Sequence, residues 1–81
     1  MGPDAAKALI ADHLGVAVAT VQDDALFAED LGADSLDMIE LAMRFEEAND
    51  ISIGDDESAS CVTVRDALDL LQRKRVWSDA A

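Results

Sequence analysis

Residues 35 to 48 read SLDMIELAMRFEEA, and wound as a helix they place apolar side chains on two nearly opposite faces. An advance of roughly 100° per residue gathers Met38, Leu41, Ala42 and Phe45 on one side and Leu36, Ile39 and Met43 on the other. A helix in so short a chain cannot bury both stripes. One face therefore belongs to a core and the other to the surface. Asp37, Glu40 and Glu47 border the surface stripe on one edge, and Glu46 borders it on the other. Two accounts of that stripe stand side by side. Single apolar residues are commonly exposed on soluble proteins. Alternatively the strip is a docking site, where acids steer a basic partner and Leu36, Ile39 and Met43 supply the contact.

The remaining sequence surrounds this helix with others. Of 81 residues about half are apolar, mostly Ala, Leu, Val and Ile, with only three aromatics. That mixture suits helices packed on helices better than a sheet sandwich. The expected fold is all-α: a small four-helix bundle of three main helices and one short one, with a long loop between helices 1 and 2. The first helix runs from about Asp4, read as its cap, to Leu14, with Ala6, Leu9, Ile10 and Leu14 near one face and Gly15 as the stop. Between Val16 and Asp34 the apolar residues Val16, Val18, Val21, Leu26, Phe27 and Leu31 follow no helical period. They read as anchors pinning the loop across the bundle. The second helix spans Ser35 to Ala48 with Asp34 as N-cap, and a short helical piece occupies Asp55 to Cys61. The last helix opens at Thr63, where Thr63 and Asp66 form a capping box. Val64, Ala67, Leu68 and Leu71 make its buried stripe, and Arg73, Lys74 and Arg75 complement the dipole in its final turn. Residues 1–81 are read as a single domain, ordered over about 4–75. Val76 to Ala81 is expected to fray, or Trp77 to fold back onto the bundle.

Charge narrows the choice of partners. The formal net charge is −12, and residues 23 to 57 hold 13 of the 18 acids against one base, Arg44. Nucleic acids and anionic membranes would be repelled, and a basic protein surface is the natural complement. The single cysteine, Cys61, excludes an internal disulfide framework and fits a reducing compartment, where it reads as a small buried hydrophobe. No apolar run approaches the length of a membrane span, and the start lacks the pattern of a signal peptide. The expectation is a cytoplasmic monomer.

Ser35 lies directly after the helix cap. A nucleophilic serine needs an oriented base, and the only histidine, His13, falls in the last turn of the first helix, where it offsets the dipole. GADSL lacks the flanking glycines of a nucleophile elbow, and no metal-ligand cluster or phosphate-cradling glycine loop is present. These residues predict neither catalysis nor a metal centre. A hydroxyl at a helix N-terminus is nevertheless well placed to carry a phosphoester, whose charge the free N–H groups and dipole favour. An ordinary serine following its cap is the other reading.

DLGADSLDMIEL, residues 30 to 41, resembles the attachment motif of acyl carrier proteins of the fatty-acid and polyketide type. The similarity runs from about Ala5 to Leu71 and includes LGV at the end of the first helix and VTV at the start of the last. It implies that Ser35 is esterified by 4′-phosphopantetheine from coenzyme A, through a separate phosphopantetheinyl transferase that needs Mg²⁺. Acyl groups then ride as thioesters on the arm's thiol. It implies docking of the transferase, ketosynthases, acyltransferases and other basic-surfaced enzymes on Asp34, Leu36, Asp37, Ile39, Glu40, Met43, Glu46 and Glu47. It also implies an acyl pocket lined by Phe27, Leu41, Phe45, Ile53, Cys61 and Ala67. The chain departs from the family at Asn49, where an aromatic is usual, at Gly54, often Pro, and at Cys61, often Ile or Val. Arg44 breaks the acidic helix. These departures admit a specialised pathway beside a housekeeping one. A peptidyl or aminoacyl carrier shares the tether, although its motif more often has Gly-Gly-x-Ser-Leu and a less acidic surface. A reading from another class is an acidic adaptor that binds a basic helix and carries no prosthetic group.

Overall fold

Helix α1 (Pro3–Leu14) begins one residue ahead of Asp4, because Pro3 sits at the first helical position, where its ring presets φ and its missing N–H costs nothing. Gly2 is the N-cap and makes no side-chain capping bond. Asp4 is thus not the cap; it lies in the first turn, where its charge meets the positive end of the dipole. The stop falls at Gly15, in the left-handed region at φ 70°, with its N–H donating to the Ala11 carbonyl. The computed structural model describes residues 2–74. Arg75, Trp77 and the tail from Val76 to Ala81 lie outside them.

Among the described residues four helices form a small bundle: α1, α2 (Ser35–Asn49), α3 (Asp55–Ala59) and α4 (Val64–Arg73). A single 3-10 turn, Val18–Thr20, interrupts the long connection between α1 and α2. The loop is anchored by Val21, Ala25, Phe27, Leu31 and Ala33, all buried. Val18 is no anchor, being 55% exposed, because the tight turn points it outward. Backbone bonds complete the attachment. Phe27 N–H donates to the Val62 carbonyl (3.0 Å), Val64 N–H to Ala25 (3.0 Å) and Arg65 N–H to Asp23 (2.8 Å). This short antiparallel track, with Leu26 opposite Thr63, satisfies polar groups that a buried loop would otherwise leave unpaired.

Helix α2 runs one residue further than Ala48. Asp50 adopts the left-handed conformation at φ 55° and its N–H reaches the Glu46 carbonyl. The Asn49 side-chain amide donates to the Phe45 carbonyl at 3.0 Å, a polar use for a position where the carrier family usually has an aromatic. Helix α3 ends at Ala59, short of Cys61, with Ser60 as its C-cap. The Thr63–Asp66 capping box forms: Asp66 N–H donates to Thr63 Oγ1 (3.2 Å) and Thr63 N–H to Asp66 Oδ2 (3.0 Å).

The core draws on every segment: Ala6, Ile10 and Ala11 from α1, the loop anchors, Leu41 and Phe45 from α2, Ile53, and Val64, Ala67, Leu68, Leu70 and Leu71 from α4. Leu9, Leu14, Met38 and Ala42 pack against it half-buried. Ion pairs tie the outside. Asp23 meets Lys7 at 2.7 Å and Arg65 at 3.5 Å, and Glu57 of α3 meets Lys74 at 3.0 Å.

Three carboxyls are held below their ordinary range: Asp23 by Lys7, Glu57 by the Gly54 N–H and then Lys74, and Asp66 by the Thr63 and Val62 N–H groups. A lowered folded-state value means stability that is present above the unfolded pKa of about 4 and is lost as pH falls through the folded value. The Asp66→Asn variant should therefore be less stable than wild type at neutral pH, with the gap narrowing as pH falls below about 4 and on through the lowered folded value, where the wild-type carboxyl takes up its proton. Thermal melts across that range check it. Leu71→Ala should cost about 2–5 kcal/mol in urea unfolding, because its side chain is fully enclosed.

Candidate functional site

Ser35 is the first helical residue of α2, and its place is set by a reciprocal pair of bonds on either side of it. Asp37 N–H donates to Asp34 Oδ1 at 2.8 Å, and Asp34 N–H donates to Asp37 Oδ2 at 3.1 Å. Gly32, at φ 73°, turns the chain so that Ala33 N–H reaches the Phe27 carbonyl (2.8 Å) and Ala33 is buried just before the helix starts. Ser35 itself is exposed. No base attends it. His13 lies on α1, where its Nε2 is 3.5 Å from Glu40 and its Nδ1 is 3.4 Å from the Arg44 guanidinium.

Ser35 opens onto a groove of about 590 Å³ between the long loop, α2 and α3, whose walls include Leu26, Ala28, Ile39, Ala59 and Val62. Behind the groove, inside the bundle, lies a cavity of about 30 Å³. Phe27, Met38, Ser58 and Cys61 line both, so they form the partition between them. The structure brings Phe27, Leu41, Phe45, Ile53, Cys61 and Ala67 together around this cavity. Sequence reasoning missed Met38, Ala42, Ser58, Leu70 and Leu71 in its wall. Helical spacing marks Met38, Leu70 and Leu71 as inward-facing, whereas nothing local to Ser58 signals a buried hydroxyl. The cavity holds about one water-sized object.

What holds α3 in place is specific. Ser58, buried, donates its hydroxyl to the Met38 carbonyl at 3.1 Å. Glu46 Oε2 accepts the Ile53 N–H at 2.6 Å, fixing the segment that leads into α3. Cys61 is half-buried; burial, followed by Asp66, pushes its thiol above the ordinary value and so away from the reactive thiolate.

The surface stripe of α2 is open. Leu36 is 60%, Ile39 41% and Met43 52% exposed. Its acids differ in their commitments. Asp34 and Asp37 serve the helix cap, Glu46 serves Ile53, and Glu40 faces His13. Glu47 is exposed. Arg44 turns toward α1 and pairs with Asp12 at 3.1 Å, so its charge is already matched within the bundle. Donor atoms of His13, Asp37 and Glu40 converge within 4.8 Å of one another. The Arg44 guanidinium beside the imidazole can only donate, which places the ring proton on Nε2 toward Glu40. The group reads as a tie between α1 and α2.

Two comparisons bear on this arrangement. Residues 4–71 match the family described as the phosphopantetheine attachment site. Among solved structures, the chain is similar to 3-oxo-butyl-ACP, an intermediate mimic from the actinorhodin polyketide synthase in Streptomyces coelicolor. The identity is 30% and the TM-score 0.73, covering 100% of this chain and 95% of that one.

Replacing Ser58 by Ala should remove the link between α3 and the Met38 carbonyl at a cost of about 0.5–1.5 kcal/mol, the net worth of one such bond. Urea unfolding measures the loss, and amide exchange faster across residues 55–59 than in α1 would localise it.

Proposed function

The chain belongs to the phosphopantetheine-attachment family and is an acyl carrier, and from that premise we propose that Ser35 is the residue that receives the 4′-phosphopantetheine arm. The observation that carries this reading is an exposed hydroxyl on the first turn of α2, fixed by the Asp34–Asp37 box and opening onto the groove. The surroundings fit the group. The helix N-terminus favours the phosphodiester's charge, and the groove gives a pantetheine chain a partly apolar wall. When bound, the arm supplies a terminal thiol on which acyl groups are held as thioesters.

In this reading Ser35 Oγ forms a bond to the pantetheine-side phosphorus of coenzyme A while the pyrophosphate bond breaks. The hydroxyl proton is lost and adenosine 3′,5′-bisphosphate leaves. A separate transferase with Mg²⁺ supplies the base and the metal, because His13 is occupied by Glu40 and Arg44. The polypeptide then performs no catalysis of its own. Phe27, Met38, Ser58 and Cys61 separate the groove from the interior, and the six residues expected to form an acyl pocket would shelter part of a chain only when α3 gives way. Leu36, Ile39 and Met43, with Glu40 and Glu47, meet basic-surfaced transferases, ketosynthases and acyltransferases in weak, salt-sensitive encounters.

We place the carrier in polyketide assembly, on the likeness to a polyketide synthase carrier over the whole chain and on a resting cavity too small to store a long alkyl chain. We read it as a cytoplasmic monomer, on its strong negative charge.

Incubation with coenzyme A, Mg²⁺ and a phosphopantetheinyl transferase should add one arm to the wild type, seen by intact mass, and none to Ser35→Ala. An undiminished gain on Ser35→Ala would move the site elsewhere.

A further inference from the structure

His13 is the only histidine in the sequence, and the fold sets it where the last turn of α1 meets α2. Its side chain is 15% exposed. Donor atoms of His13, Asp37 and Glu40 come within 4.8 Å of one another. Asp37 and Glu40 stand three apart on α2 and so share a face, while the imidazole arrives from the other helix. Asp37 gives Oδ2 to the Asp34 N–H, and its carboxylate keeps a second oxygen. The spacing between His13 Nε2 and Glu40 Oε1 is informative. At 3.5 Å it exceeds the usual N–H···O range of about 2.7–3.2 Å. It is close to the ~3.4 Å that separates two ligands held at about 2.0–2.1 Å by a tetrahedral zinc. Charge points the same way. Asp12, Asp37 and Glu40 outnumber Arg44 by two around the ring, and a divalent cation cancels that excess.

We infer that His13, Asp37 and Glu40 form a binding site for a zinc-class divalent cation, a staple between α1 and the helix that begins at Ser35. The site stands whatever Ser35 carries. An imidazole nitrogen is a borderline-soft donor, so the set suits Zn²⁺, whereas Mg²⁺ and Ca²⁺ prefer oxygen alone. Acids without the ring would be an ordinary solvated cluster, and the imidazole is what gives the site its selectivity. Arg44 opposes binding. Its Nη1 is 3.4 Å from His13 Nδ1, and a cation on Nε2 shifts the ring proton to Nδ1, where it faces that donor. Binding therefore turns Arg44 wholly onto Asp12, 3.1 Å away. The ring stays neutral, and only its proton changes nitrogen.

The test uses the full, untagged chain in metal-free buffer, with Zn²⁺ alone as the probe. Isothermal titration should give one site on wild type, and excess Mg²⁺ should leave Zn²⁺ bound. Zn²⁺ should also move the side-chain nitrogen resonance of His13 Nε2, unambiguous because the chain has no second histidine. His13→Gln should weaken the affinity at least about tenfold and abolish the rise in melting temperature that Zn²⁺ gives wild type. Glu40→Gln should weaken it likewise. Arg44→Gln removes the competing donor and offers a carbonyl to the Nδ1 proton, so it should tighten binding severalfold. Asp69→Asn, at an exposed acid on α4, should stay close to wild type and controls for net charge. No Zn²⁺ binding, an affinity indifferent to His13→Gln, or an Arg44→Gln variant that binds more weakly than wild type overturns the site. Circular dichroism of each variant separates loss of the site from loss of fold.

Discussion

The position of Ser35 depends on two hydrogen bonds that Asp34 and Asp37 exchange across it. They begin helix α2 at that residue and no other, satisfy two of the N–H groups that a helix start leaves free, and keep the hydroxyl outside the bundle. With the arm on Ser35 as proposed, that anchoring fixes where the attached group leaves the bundle. A serine one residue earlier would be the cap, with its hydroxyl engaged by the backbone. One turn later, it would lie alongside the exposed stripe of Leu36, Ile39 and Met43.

From this point two environments diverge. Outward, Leu36, Ile39 and Met43 lie open among acids. Inward, the groove leads to the partition formed by Phe27, Met38, Ser58 and Cys61, and beyond it to a space too small for a chain at rest. Helix α3, five residues long, forms one side of that partition. Few bonds retain it: the Ser58 hydroxyl, the Glu57–Lys74 pair and the Glu46 grip on Ile53.

Much of this was legible in the sequence because its causes are local. The Thr63–Asp66 box, the Gly15 stop and the divided faces of α2 each rest on residues within one or two helical turns, where spacing reports geometry directly. Six of the residues around the cavity follow from a family resemblance that extends along nearly the whole chain, whereas Met38, Ala42, Ser58, Leu70 and Leu71 do not. Other features depend on distant partners. Glu46 looks like a surface acid, yet it reaches seven residues on to Ile53. Arg44 looks like a break in an acidic face, yet it answers Asp12 on another helix. Val18 has the hydrophobicity of a loop anchor, but a 3-10 turn points it to solvent. Asp4 has the chemistry of a cap, but Pro3 starts the helix first. The backbone track from Phe27 to Val62 has no side-chain pattern at all.

The central claim is that this polypeptide is a handle for a covalently attached thiol arm, and peptide mapping of the protein isolated from its native host tests it most directly. Tandem mass spectrometry should place a phosphopantetheine group on Ser35 within the peptide that carries DLGADSLDMIEL. A functional preparation in which that peptide is wholly unmodified, or in which the group sits on another residue, would contradict the account.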